Sequence, residues 1–196
     1  MKIHTDINKL PPIKNPVVTT GSFDGIHAGH RYIIQRLNEI ARRVDGESVL
    51  ITFFPHPRRV LFPEERRLLM INTQREKIKI LSQTGLNHLI VIEFTLQFSK
   101  TSSVDFIRNY LVDKINVHTV VIGYDHNFGR NREGNFDYLY ELGRYYGYEV
   151  EEIQAQDVNH VSVSSTKIRR ALEAGEVERA NNYLCRNSFI CGKVLH

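Results

Sequence analysis

Cysteine is scarce in this chain of 196 residues, and both thiols, Cys185 and Cys191, lie near its end. Two are too few for a disulfide framework, and no Cys-x-x-Cys pair suggests redox chemistry, so both are read as reduced. No apolar run approaches the length needed to cross a membrane. The first residues, Met1-Lys2-Ile3-His4-Thr5-Asp6, lack the apolar centre of a signal peptide. Both absences point to the cytoplasm and to no membrane partner. The chain also has no low-complexity tract and no internal repeat. Missing too are Gly-Lys-Ser/Thr, which excludes the usual phosphate loop, and the GxGxxG spacing of a dinucleotide fingerprint.

What is present is a globular composition, 41% hydrophobic and 24% charged, in a length suited to one domain with a small addition. The net charge is +4. Basic residues come as doublets (Arg42-Arg43, Arg58-Arg59, Arg66-Arg67, Arg169-Arg170) and form no long run. That pattern fits solvated helix faces and an attraction for phosphorylated small molecules, and does not call for a nucleic-acid partner.

Periodicity predicts an alternation of strands and helices. Val17 to Thr20 reads as a strand, and Arg31 to Val44 as a helix whose apolar face holds Ile33, Ile34, Leu37, Ile40 and Ala41. Glu47 to Phe54 reads as a buried strand stopped by Pro55-His56-Pro57. Residues Met1 to Asn15 and Arg58 to Asn72 read as irregular. Thr73-Gln74-Arg75-Glu76 is a capping box that opens a helix ending before Gly85. Strands follow at His88 to Glu93, Thr119 to Ile122 and Glu149 to Ile153. The intervening helices run from Ser102 to Lys114 and from Phe136 to Tyr146, and two more cover Ser165 to Glu173 and Val177 to Leu184. Such alternation implies crossover connections, hence a Rossmann-like α/β fold with a mainly parallel sheet and helices on both faces. Ligands of such sheets bind at the carboxyl ends of the strands.

The chain is organised around Gly21-Ser22-Phe23-Asp24-Gly25-Ile26-His27-Ala28-Gly29-His30, a glycine-rich turn between a strand and a helix. A helix N-terminus there presents unpaired backbone N–H groups and the positive end of a dipole. His27 and His30, three residues apart, share one face of the first turn, and Gly29 admits close approach to the backbone. Imidazole donors beside a helix start suit negative charge developing on phosphorus. A solvated turn and a zinc pair are the competing readings, the latter short of a third ligand. A second block, Ser164-Ser165-Thr166-Lys167-Ile168-Arg169, puts hydroxyls at a helix start and an arginine on the following turn, where its fork can reach phosphate oxygens. An ordinary capped surface helix is the alternative. A third block, Gly123 to Gly134, contains Asp125, His126 and Phe128 directly after a strand.

Taken together these blocks resemble the HxGH nucleotidyltransferases and, more narrowly, the FMN adenylyltransferase module of bacterial bifunctional riboflavin kinase/FAD synthetases. The second block is similar to the family's Ser-Ser-Thr-x-Ile-Arg motif. The third is similar to Gly-x-Asp/Asn-Phe-x-Phe-Gly, with His126 where the family more often has Phe. Phe54-Pro55-His56-Pro57 is similar to a motif on the flavin side.

The resemblance implies AMP transfer from ATP to FMN, giving FAD and pyrophosphate, with Mg²⁺ accompanying the ATP. It implies catalytic roles for His27, His30 and Arg169. An ATP site would use Gly21, Ser22, Phe23, Asp24, Gly29, Asp125, Ser164, Ser165 and Thr166. A flat apolar flavin slot would be built from Phe54, Pro57, Leu61, Phe62, Asp125 and Phe128. Asp24 and Asp125 are candidate metal contacts, with no ligand assigned. Residues 1–186 would form the adenylyltransferase domain, and 187–196 the start of a riboflavin kinase module. Another HxGH adenylyl- or cytidylyltransferase, or a non-catalytic nucleotide-binding module, remains as an alternative.

Overall fold

The computed structural model describes residues 1–64, 68–123, 128–129, 133–153 and 163–192. Six strands form one sheet: β1 (Lys2–His4), β2 (Val17–Thr20), β3 (Ser48–Phe54), β4 (His88–Glu93), β5 (Thr119–Gly123) and β6 (Glu149–Ile153). Their order is β1-β4-β3-β2-β5-β6, and every pairing is parallel. The order reverses around β2 and β5, whose carboxyl ends therefore flank a crevice.

The helices are α1 (Ala28–Arg43), α2 (Pro57–Leu61), α3 (Gln74–Leu81), α4 (Ser103–Phe106, continued by a π-helix over Ile107–Val112), α5 (Phe136–Tyr146), α6 (Ser165–Glu173) and α7 (Val177–Leu184). Successive strand residues point to opposite faces, so each strand serves two cores. Val17, Leu50, Leu89 and Val121 pack with α1 and α3 against Ile34, Leu37, Ile40 and Leu81. Val18, Val49, Ile51, Ile90, Val120 and Ile122 face the other way, against Phe106, Ile107, Leu111 and Leu139. A smaller cluster, Ile168, Ala171, Ala180 and Leu184, joins α6 to α7.

The central strands and the helices after Gly134 coincide with the sequence reading, and the Thr73–Glu76 capping box forms in both directions. Three segments differ. The lead-in contributes β1, an edge strand of three residues paired with His88–Ile90, and Lys-Ile-His has too little apolar pattern to announce it. The stretch after Phe54 is not all loop, because Pro57 occupies the first turn of α2, where a missing N–H costs nothing. Helix α1 begins at Ala28, not Arg31, which brings Gly29 and His30 inside it.

Candidate active site

The turn after β2 is strained and closely held. Phe23 (φ 47°), Gly25 (φ 85°) and Ile26 (φ 44°) all adopt left-handed backbone, which a β-branched residue resists strongly. Burial offsets the strain: Ile26 is fully buried and Phe23 nearly so. Donors from far along the chain also hold the turn's carbonyls. Lys77 Nζ and Thr52 Oγ1 donate to Ser22 O at 2.7 and 3.2 Å. Ser165 Oγ donates to Asp24 O at 2.9 Å, and Arg186 Nη2 to Gly25 O at 2.8 Å. Gly21 N donates to Ile51 O on β3.

The turn delivers His27 to the N-cap of α1, a helix start with no side-chain cap. The rings of His27 and His30 stack at 3.7 Å between centroids, and Phe23 lies against His30 at 4.7 Å. Both Nδ1 atoms are enclosed and find no hydrogen-bond partner among the described residues. Burial lowers the His27 pKa to about 4, with the Asp24 charge acting the other way. For His30 burial pushes it well below the usual value, and the charges of His27 and Lys77 add to this. Both rings are therefore neutral at pH 7, each with one N–H to donate.

These shifts make stability pH-dependent. Below pH 6.5 the unfolded chain takes up a proton that folded His27 refuses until about pH 4, so acidification favours unfolding across that window. Between pH 7 and pH 5, His27 alone should cost about 2 kcal/mol, and His30 acts with the same sign. Urea titrations at both pH values check this. A His27→Asn chain that loses as much stability as the wild type would exclude His27 as the source.

The same turn carries one half of an ion pair whose other half comes from far along the chain. Arg169 Nη2 donates to Asp24 Oδ2 at 2.5 Å, where the Asp24 side chain is 2% exposed. Asp24 Oδ1 accepts from Ile71 N at 3.1 Å, and Arg169 Nε donates to Leu69 O at 2.9 Å. The second block thus meets the first, as its placement after a strand led us to expect. Its hydroxyls, however, are partly engaged within the protein. Ser165 spends its proton on Asp24 O, Ser164 accepts from Lys167 N as the N-cap of α6, and Thr166 is exposed. The carboxylate of Asp24, a candidate metal contact in the sequence, is committed to Arg169 and the Ile71 amide. Gly29 is buried within the first turn of α1.

The expected flavin residues divide. Phe54, Leu61 and Phe62 are exposed by 52%, 43% and 53%, and Leu69 by 62%. Pro57 opens α2. Phe128 packs on Phe106 of the second core at 6.2 Å and bridges Gly134. Asp125 lies outside the described residues, as does His126.

Three residues were given no role of their own in the sequence, His56 having appeared only within Phe54-Pro55-His56-Pro57. Lys77, on α3, is 6% exposed. His56, N-cap of α2, has a pKa lowered to about 4 by burial, while the charges of Asp24, Lys77 and Arg169 also reach it. Arg186 ties the chain after α7 to Gly25 O and to Asn72 Oδ1. His56 had a signal in its motif, and Lys77 in standing three and four residues before Ile80 and Leu81 on the buried face of its helix.

A parallel sheet whose switch-point crevice lies beside two neutral imidazoles, a helix start and a half-buried arginine defines a Rossmann-like protein. The profile of the FAD synthetase family matches residues 11–167, and the chain belongs to that family. A bifunctional riboflavin kinase/FMN adenylyltransferase from Buchnera aphidicola subsp. Acyrthosiphon pisum is 34% identical over 197 aligned positions, covering 100% of this chain and 63% of the relative. The chain spans about three fifths of the length of such relatives. A crystal structure described as a macrolide-efflux protein from Streptococcus pneumoniae superposes with a TM-score of 0.78 at 26% identity, over 94% of this chain and 59% of that one. Thermotoga maritima TmcAL bound with alpha-thio ATP gives 0.56 at 14% identity, over 93% and 53%, a likeness of fold alone. Among the described residues no helix is long and apolar enough to cross a membrane.

Proposed function

We propose that this chain transfers AMP from ATP to FMN, giving FAD and pyrophosphate, in the cytoplasm. A phosphate oxygen of FMN attacks the α-phosphorus of ATP, and the bond from that phosphorus to the bridging oxygen of pyrophosphate breaks. The nucleophile is already anionic, since the second ionisation of a phosphate monoester lies near pH 6. No general base is needed, and the protein's task is alignment and charge stabilisation. Supporting this reading are the stacked, neutral imidazoles of His27 and His30 at the uncapped start of α1. On the α-phosphate, imidazole N–H groups would meet the charge that grows in the transition state. Arg169 uses two of its five N–H donors on Asp24 and Leu69, leaving others for the departing pyrophosphate, with Thr166 and Ser164 beside it. The exposed Phe54, Leu61 and Phe62 side chains, with Pro57, suit the isoalloxazine.

Magnesium would arrive with the ATP. Among the described residues no three His, Cys, Asp or Glu side chains form a metal-holding group, and the Asp24 carboxylate is occupied. The described residues therefore offer no protein cage, and phosphate and water oxygens would carry the ion. Riboflavin kinase, the second activity in the relatives' name, is proposed for sequence outside these residues, as a C-terminal module beginning near residue 187.

The deciding experiment supplies the chain with ATP, Mg²⁺ and FMN and follows FAD and pyrophosphate. Stoichiometric FAD is expected. No FAD, with turnover of 4′-phosphopantetheine or of CTP and a phosphorylated alcohol, would assign the site to another nucleotidyltransferase.

A further inference from the structure

Lys77 stands one turn into α3 with its ammonium enclosed, and its Nζ reaches across to the Ser22 carbonyl on the turn after β2. That carbonyl does not depend on it, because Thr52 donates to the same oxygen. One bond leaves two of the three ammonium protons for other acceptors. The charges around it do not balance. Asp24 is the acid that acts on Lys77 among the described residues, and Asp24 is already answered by Arg169 in a direct pair. His30 and His56, on both of which the Lys77 charge acts, are held neutral chiefly by burial. Lys77 is thus left without an acid of its own, a positive charge on a group drawn largely out of water. A solitary buried ammonium weakens a fold. Its own pKa is lowered by that burial, with Asp24 opposing.

The group such a charge matches is a phosphate oxygen, brought in by the substrate to the ring that Lys77 already acts on, His30. We propose that Lys77 is a further catalytic residue, binding an oxygen of the phosphate that reacts at His27 and His30. The proposal rests on the adenylyl-transfer reading. The oxygen belongs either to the α-phosphate of ATP or to the phosphate of FMN, chemically alike anions.

Lys77→Met separates this role from a structural one. Methionine fills similar volume without a desolvated charge, so the variant should melt at or above the wild-type temperature. Its kcat for FAD formation should fall about 10- to 100-fold, the scale of one hydrogen bond to a charged group. Lys77→Gln, which keeps an N–H but no charge, should fall similarly. Upshifts in melting temperature with ATP–Mg²⁺ and with FMN, measured separately, identify the phosphate: the ligand whose upshift Lys77→Met loses is the one bound. Turnover within about threefold of wild type, both upshifts intact, or a lower melting temperature with activity restored in Lys77→Gln would each overturn the proposal. A wild-type chain that makes no FAD would instead sink the adenylyl-transfer reading, while the upshifts still decide for Lys77.

Discussion

Asp24→Ala is expected to cost about 3–5 kcal/mol of folding free energy, the scale of breaking a buried ion pair from one side. The carboxylate is 2% exposed and joins two distant parts of the chain. One oxygen accepts from Arg169 of α6, and the other from the Ile71 amide ahead of α3. Alanine would leave a guanidinium, itself only 14% exposed, without a counter-charge and an amide without its acceptor. Each loss carries its own desolvation penalty. Asp24→Asn, which keeps an acceptor but no charge, should fall between the two chains. Arg169→Ala in the Asp24→Ala background should recover part of the loss, because the uncompensated cation is removed as well. Urea denaturation of these chains and of the single Arg169→Ala variant measures this. Additive single effects would mean that the pair contributes only as two separate hydrogen-bonding groups.

The residues of this pair were each legible in the sequence, and their pairing was not. Asp24 and Arg169 stand in blocks recognisable by glycine and hydroxyl spacing. Spacing shows that both follow strands, so both reach the carboxyl edge of a parallel sheet. It does not show that the arginine spends part of its fork on the aspartate. The same limit applies to Ser165, whose hydroxyl reads as a phosphate donor until the Asp24 carbonyl is found to hold its proton.

Strands with continuous Val, Leu and Ile were plain because burial on two faces leaves no room for polar residues. Strand β1 was hidden because a three-residue edge strand draws its stability from its neighbour, here β4, and needs no pattern of its own. The left-handed backbone at Phe23 and Ile26 was hidden for a related reason. Local preference argues against it, and the carbonyl contacts from Thr52, Ser165 and Arg186, with the burial of both side chains, make it tolerable. Each of those donors lies at least 30 positions downstream of the carbonyl it holds, beyond the reach of any window used to read a turn.

His30→Ala should lower kcat for FAD formation by about 10²–10³, the loss measured when one preorganised transition-state donor is removed. His30 is favoured over His27 for the larger effect because of its surroundings. It is packed between the His27 ring and Phe23, so its orientation is set before substrate arrives. Burial keeps it neutral, so it meets the ground-state phosphate as a dipole and not as a cation. A dipole binds the resting anion weakly and responds most to the charge that grows during attack, which is the differential that speeds a reaction. The Michaelis constants for ATP and FMN should consequently change much less than kcat. Because FMN supplies its own anionic oxygen, wild-type kcat should show no limb rising above pH 7 that belongs to a histidine base. Steady-state kinetics on a variant shown to be folded by its melting curve decides the matter. Undiminished kcat would remove His30 from the chemistry, and a Michaelis constant raised as much as kcat is lowered would make it a binding group for the resting substrate.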